Sequence, residues 1–411
     1  MLRLFDDALL DSFAQRALFA IPFGGAEFAE CVTTARRIGD AYDEDAWHRE
    51  WTATADRLYG VAESCAARGH RVSAREAFLR ASTYYHVSYF PLFGGAPVDP
   101  RLAAAFGREA ESFREAAARF DPPGEPVEIP YEGATLPGYF LRCADDDTGD
   151  AAGPPRPTLI ATNGYDSTLH EMYYYLGVPA LRRGYHCLLF DGPGQGRALI
   201  EQGLPGRPDW ERVVGPVVDH LVTRPEVDPA RIALMGWSLG GFLAPRAASG
   251  EPRLAACIAD PGQFDLALGM KGLLAGFGVP PEEVTKFPEI APAVLDRVWE
   301  RALSDPGLAW RLRKRALWVH GVETFADYLR VLPGYSLAVR AALIRCPTLV
   351  CQAEGDRIGA QAGLLYDALT CPKAFLRLTA EEGAGDHCEM PARALFSQRA
   401  FDWLDETLAR V

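Results

Sequence analysis

The chain has 411 residues, with 42 Lys plus Arg against 55 Asp plus Glu, so the formal net charge is −13. Hydrophobic residues at 48% and charged residues at 24% describe a globular protein and exclude a disordered or fibrous one. The acid excess argues against nucleic acid as a partner, because phosphate backbones recruit Lys and Arg, and no run approaches the ~20 apolar residues that span a bilayer.

At about 100–200 residues per domain the length allows two or three domains. The opening MLRLFDDALLDSFAQRALF has acids where a secretory signal carries positive charge. The nine cysteines are odd in number and scattered, and several sit inside apolar runs. Reduced thiols in a cytoplasmic protein are therefore expected rather than a disulfide framework. CxxC, HExxH and paired Cys/His spacings are absent, so no metal is expected.

Residues 1–123 read as a helical N-terminal domain. Trp47, Trp51, Ala55, Leu58 and Ala62 recur at spacings of three and four, and Gly69 follows as a C-cap. Residues 73–89 continue the helical spacing. Asp99-Pro100 opens a further helix, with Asp as N-cap and Pro at the first position, which stops before Asp121-Pro122-Pro123. The aromatic density here is expected to pack as core or domain interface. With the inserted segment below, it would cover a site at the sheet's C-terminal edge.

Residues 124–411 read as an α/β catalytic domain. VEIPY and LPGYFLR around EGAT predict a hairpin, and 144–157 is a surface loop by composition. Short apolar strands then alternate with helices at 158–164, 186–192, 232–237, 256–260, 347–354 and 374–378. That rhythm predicts a mostly parallel sheet with helices on both faces. Residues 262–335 interrupt it as a helical insertion.

The chemistry centres on Gly236-Trp237-Ser238-Leu239-Gly240-Gly241, between an apolar strand and a helix. That is the context of a G-x-S-x-G nucleophile elbow, in which Gly236 and Gly240 remove Cβ atoms that would collide with the turn. A serine needs a base oriented by an acid. In hydrolase order both follow it, and downstream of Ser238 only His320 and His387 remain. His387, past the last strand, is the expected base; His320, among apolar residues, is expected to be structural. Asp356, after the strand PTLVCQAE, is the expected acid, with Glu354 and Asp386 as competitors. The oxyanion hole is expected from the backbone N–H groups of Leu239 and Tyr165, with Gly164 allowing close approach. Asp166 at the edge of that hole is either catalytic or a helix cap, since Asp166, Ser167 and Thr168 are all capable caps and Thr168 has Glu171 at capping-box spacing. Gly192-Pro193-Gly194-Gln195-Gly196 fails G-x-G-x-x-G and reads as a tight loop beneath the site. No cofactor is expected.

The motifs NGYDST (163–168), FDGPGQG (190–196), GWSLGG (236–241), EPRLAACI (251–258), IRCPTLV (344–350) and GDHCE (385–389) resemble the α/β-hydrolase superfamily. More narrowly, they resemble the 2,6-dihydroxypseudooxynicotine hydrolase family and the similar fungal pigment-pathway polyketide-shortening hydrolases. The resemblance covers most of the chain apart from 270–335. It implies a triad of Ser238, Asp356 and His387, and a functional acid at Asp166 where the nicotine-degrading enzyme has Glu. Trp237 replaces an Arg of that enzyme, so a different substrate is implied, with Trp237 and Gly164 among the residues that meet it. The implied activity is hydrolysis of a carbon–carbon bond next to a ketone in an acyl-phenol or 1,3-dicarbonyl small molecule, with Asp166 or protonated His387 donating a proton to the leaving carbon or orienting water. An esterase, lactonase, thioesterase or acyl-transferring cyclase is the alternative, and a non-catalytic binding protein on this fold a third. The resemblance also implies a homodimer.

Overall fold

The computed structural model describes residues 3–144 and 154–410. Five helices precede the first strand: α1 (Ala8–Ala20), α2 (Phe28–Ile38), α3 (Glu44–Ala67), α4 (Arg71–Ser88) and α5 (Pro100–Ala117). The start and stop signals act as the sequence predicts. The Asp99 side chain accepts from Arg101 N ahead of Pro100, and Gly69 takes φ +76° just past α3. Trp47, Trp51, Tyr84 and Tyr85 are fully buried, which makes the aromatic stripe core.

Among the described residues, eight strands then form one sheet in the order β1-β2-β4-β3-β5-β6-β7-β8. They are β1 (Glu125–Tyr131), β2 (Ala134–Leu141), β3 (Arg156–Thr162), β4 (His186–Phe190), β5 (Val227–Trp237), β6 (Ala256–Asp260), β7 (Thr348–Ala353) and β8 (Lys373–Leu378). β1 and β2 are the predicted hairpin, and Glu132 and Gly133 both have positive φ, as a two-residue primed turn requires. β2 is also antiparallel to β4; every later pairing is parallel. Of the composition-based loop at 144–157, residues 145–153 lie outside the described residues.

Central strands are apolar on both sides because both faces are covered. Ile232 and Leu234 of β5 pack with Val213, Val217 and Phe242, whereas Ala233 and Met235 pack into the core that includes the N-terminal helices. The helices that matter for the site are α6 (Leu169–Met172), α7 (Glu211–Val222), α8 (Gly240–Ala248), α9 (Leu266–Gly276), α10 (Pro292–Leu303), α11 (Phe325–Val331) and α12 (Arg393–Leu408). Between α10 and α11 the chain makes a π-helical turn, Trp310–Ala316. Trp310 wedges between Phe13 and Phe90, at centroid distances of 5.0 and 5.9 Å, and donates from Nε1 to Phe90 O at 2.8 Å. The inserted helices and the N-terminal helices are thereby packed against each other. Among the described residues no helix is long and apolar enough to cross a membrane.

Candidate active site

β5 ends at Trp237, and Ser238 follows at φ +56°, a left-handed conformation that a non-glycine residue adopts at a cost of about 1–3 kcal/mol. Three hydrogen bonds hold it there: Ser238 N donates to Asp260 O at 2.7 Å, Gly241 N to Ser238 O at 2.8 Å, and Gln263 Nε2 to Ser238 O at 2.5 Å. A Cβ on Gly236 would stand 1.8 Å from Gly240 O, and one on Gly164 would stand 2.8 Å from Ser238 Cβ. These two glycines let the turn close and the neighbouring loop lie against the serine.

Ser238 Oγ is 2.9 Å from His387 Nε2, and His387 Nδ1 is 2.8 Å from Asp356 Oδ2. Burial raises the cost of charge on Asp356. The His387 hydrogen bond and charge, with the Ile358 and Gly359 N–H groups, outweigh it, and the carboxyl stays below its usual pKa. Neither competing acid reaches His387. Glu354 continues the β7 ladder, its N–H donating to Leu378 O, and its side chain turns out to Arg377 and Ala380 N. Asp386 is exposed. Such a relay can deprotonate the serine, keep the imidazole in the productive tautomer and stabilise the imidazolium.

The N–H groups of Tyr165 and Leu239 make no hydrogen bond within the chain among the described residues. Both residues flank Ser238 on a cavity of about 1220 Å³ that also takes in His387, Trp237 and Asp166. Two free donors beside a nucleophile can receive an oxyanion. The loop that carries Tyr165 is braced by the tight loop beneath it. Buried Asp191 accepts from Asn163 Nδ2 at 3.0 Å and Leu169 N at 2.8 Å, and Gln195 Nε2 donates to Asn163 O at 2.7 Å. Above, Tyr165 Oη is 2.6 Å from His320 Nε2. Burial, helped by the Arg315 charge, lowers His320 to about 4, so it is neutral and structural. Trp237 forms cavity wall, packed on the Tyr175 ring at 4.6 Å and under the Arg393 guanidinium at 4.6 Å.

Asp166 is not the cap of α6; Thr168 is, accepting from Glu171 N at 3.3 Å. Asp166 instead pairs with Arg16 of α1 through Oδ1 and with Arg315 of the π turn through Oδ2 at 2.7 Å. Burial disfavours its charge, but the two guanidiniums outweigh that and hold its pKa well below the usual carboxylate range. Asp166 is thus held in its charged form between two guanidiniums on the cavity wall, which disfavours proton donation.

Sequence reasoning missed Arg16, Arg315, Gln263 and Asp191. Arg16 left one signal, a lone cation in the apolar run FAQRALF, which demands a buried partner. Arg16 Nη1 also donates to Glu171 Oε2 at 2.6 Å. From there a buried network continues: His86 lies 3.5 Å from Glu171 and 3.2 Å from Glu109, and Glu109 also accepts from Tyr89 and Thr168 at 2.6 Å each. Burial pulls the His86 imidazolium down, but Glu109 and Glu171 outweigh it and lift it to about 9. Folding therefore binds a proton at His86 that the unfolded chain releases near pH 6.5. This stabilisation is full below about pH 6.5 and lost as pH rises through about 9. The melting temperature is expected to fall across that window. A His86→Gln protein should show a flatter profile there, and an unchanged slope would exclude this origin.

The Alpha/beta hydrolase family model matches residues 159–398, and the Esterase FrsA-like model matches 36–265. Hydrolase acrC of Aspergillus aculeatus is 34% identical over 424 residues, covering 95% of this chain and 94% of that protein. The 20-hydroxy-prefusarin hydrolase FUS2 of Gibberella moniliformis is 34% identical over 417 residues, covering 96% and 95%. The solved 2,6-dihydroxy-pseudo-oxynicotine hydrolase superposes with a TM-score of 0.73 at 24% identity, covering 95% of each chain, which supports the shared fold. The resemblance carried by the NGYDST, DGPGQG and GWSLGG motifs is borne out. This chain belongs to the α/β-hydrolase family, and it is an enzyme of that family.

Proposed function

We propose that Ser238, His387 and Asp356 form a catalytic triad that hydrolyses a carbon–carbon bond next to a ketone in an acyl-phenol or polyketide-like 1,3-dicarbonyl small molecule. His387 Nε2 takes the Ser238 proton as Oγ adds to the carbonyl carbon, and the Tyr165 and Leu239 N–H groups hold the oxyanion. Collapse breaks the bond to the neighbouring carbon, whose electron pair delocalises as an enolate or phenolate. Protonated His387 returns its proton to that carbon. Water, deprotonated by His387, then attacks the acyl-Ser238 ester and releases the acid.

The observation that carries this reading is the Arg16–Asp166–Arg315 cluster on the cavity wall beside Ser238. A departing carbanion needs its charge held before it is protonated, and the Arg315 N–H groups that Asp166 leaves unpaired, beside the oxyanion loop, can supply donors for it. An alkoxide takes its proton from histidine and needs no such help. The relatives also support it: FUS2 is named for hydrolysis of a prefusarin and the fold neighbour for that of a pseudo-oxynicotine. Ester cleavage by the same triad is the second reading, favoured by the esterase match over 36–265. The two separate in one variant. Arg315→Gln is expected to reduce turnover of an acyl-phenol ketone at least about tenfold more than that of an ester with the same acyl group, both assayed on one preparation. Equal losses would count against carbon–carbon cleavage.

A further inference from the structure

The π turn Trp310–Ala316 puts Arg311 and Arg315 on the same cavity wall, four positions apart. Single π turns inside helices recur at functional sites, and like charges at this spacing repel. Arg315 is answered by Asp166. Arg311 has no ion pair or hydrogen bond among the described residues. The carboxylates near it are committed elsewhere: Asp166 already serves two guanidiniums, and Asp305 accepts from Leu308 N as an N-cap. Of the other acids of the wall, Asp11 and Asp265 are engaged, and exposed Asp386 makes no ion pair with Arg311. Asp11 accepts from Leu4 N and Gln15 Nε2, and Asp265 caps α9. Arg311 is exposed, yet surrounding protein and then the Arg315 charge push its pKa below the usual arginine value. A group both accessible and crowded lies in a concavity, and here the concavity is the one that holds Ser238.

We propose that Arg311 is the anion-binding residue for substrate: the natural substrate carries an ionised oxygen group, a carboxylate or an ionised enol, that this guanidinium holds while the scissile carbonyl lies at Ser238. A planar guanidinium with free N–H groups pairs such an anion through two parallel bonds. A neutral substrate would leave the cation without a counter-charge in the cavity. The proposal rests on the cavity being the site of Ser238 chemistry, and not on which bond is cleaved.

The test is calorimetric titration of the Ser238→Ala protein, which binds without turnover. The carboxylate pair is 5-oxo-5-phenylpentanoate and its methyl ester; the enolate pair is dimedone, ionised at neutral pH, and 3,3-dimethylcyclohexanone. At least one anion is expected to bind about tenfold or more tighter than its neutral counterpart. Preference within the first pair alone identifies a carboxylate, and within the second alone an ionised enol. Adding Arg311→Gln should bring that ratio toward one, and Arg311→Lys should retain part of it, with melting temperature as the fold control. The proposal is overturned if neutral probes bind as well as anions, if neither anion binds, or if the ratio survives Arg311→Gln. Failure of the carbon–carbon reading looks different: the wild type would cleave only esters while the anion preference persisted.

Discussion

Replacing Ser238 by alanine is expected to reduce kcat/KM at least about a thousandfold on any substrate the protein turns over, without loss of fold. In the proposed mechanism the Ser238 Oγ is the attacking atom, and its partners His387 and Asp356 act through it, so little activity should remain. The fold should survive because hydrogen bonds from Gly241 N, Ser238 N and the Gln263 side-chain Nε2 hold the turn, and none uses the Ser238 side chain. The same geometry yields a second readout. Ser238 sits at φ +56°, where glycine is at ease, so Ser238→Gly should be equally inactive yet melt higher, by the equivalent of about 1 kcal/mol. Kinetics and calorimetry on the two variants check both statements. A Ser238→Ala protein with near wild-type turnover would remove the serine from the mechanism.

The second large effect falls on stability. Asp166 is the carboxylate between Arg16 of α1 and Arg315 of the inserted segment, with side chains 11%, 20% and 20% exposed. Removing one partner of a buried pair strands the other charges, at a typical cost of about 3–5 kcal/mol. Asp166→Asn is therefore expected to lose about 3 kcal/mol in denaturant unfolding and to lose activity as the wall beside Ser238 loosens. Combining it with Arg315→Gln removes one stranded cation, so the double variant should be more stable than the sum of the two single losses. Simple additivity in that cycle would mean the ion pair is worth little.

The parts of this protein that were legible in the sequence are those whose physics is local. β3 to β7 read as strands because each is a short apolar run bounded by turn residues. The elbow was legible because Gly236 and Gly240 are demanded by steric contact within a few residues of Ser238. Asp356 over Glu354 followed once β7 ended at Ala353, since the next ladder bond turns Glu354 outward. What was not legible depends on contacts far apart in the chain. Arg16 and Arg315 lie 150 and 149 positions from Asp166, and their meeting depends on which faces α1 and the π turn present. WRLRKRA lies within the segment read only as a helical insertion, and nothing local in it separates the paired Arg315 from the unpaired Arg311, which its π winding places on the cavity wall. Asp166 accordingly reads from sequence as either a catalytic residue or a cap; Thr168 takes the cap, and Asp166 is held as an anion between Arg16 and Arg315.

The most direct measurement offers the purified protein an acyl-phenol or 1,3-diketone and an ester of similar size under identical conditions. Products are followed by mass spectrometry, with Ser238→Ala as control. Cleavage of the ketone into a carboxylic acid and a protonated phenol or ketone fragment is expected, abolished in Ser238→Ala. Turnover of the ester with the ketone untouched would contradict carbon–carbon hydrolysis and leave the triad serving an esterase.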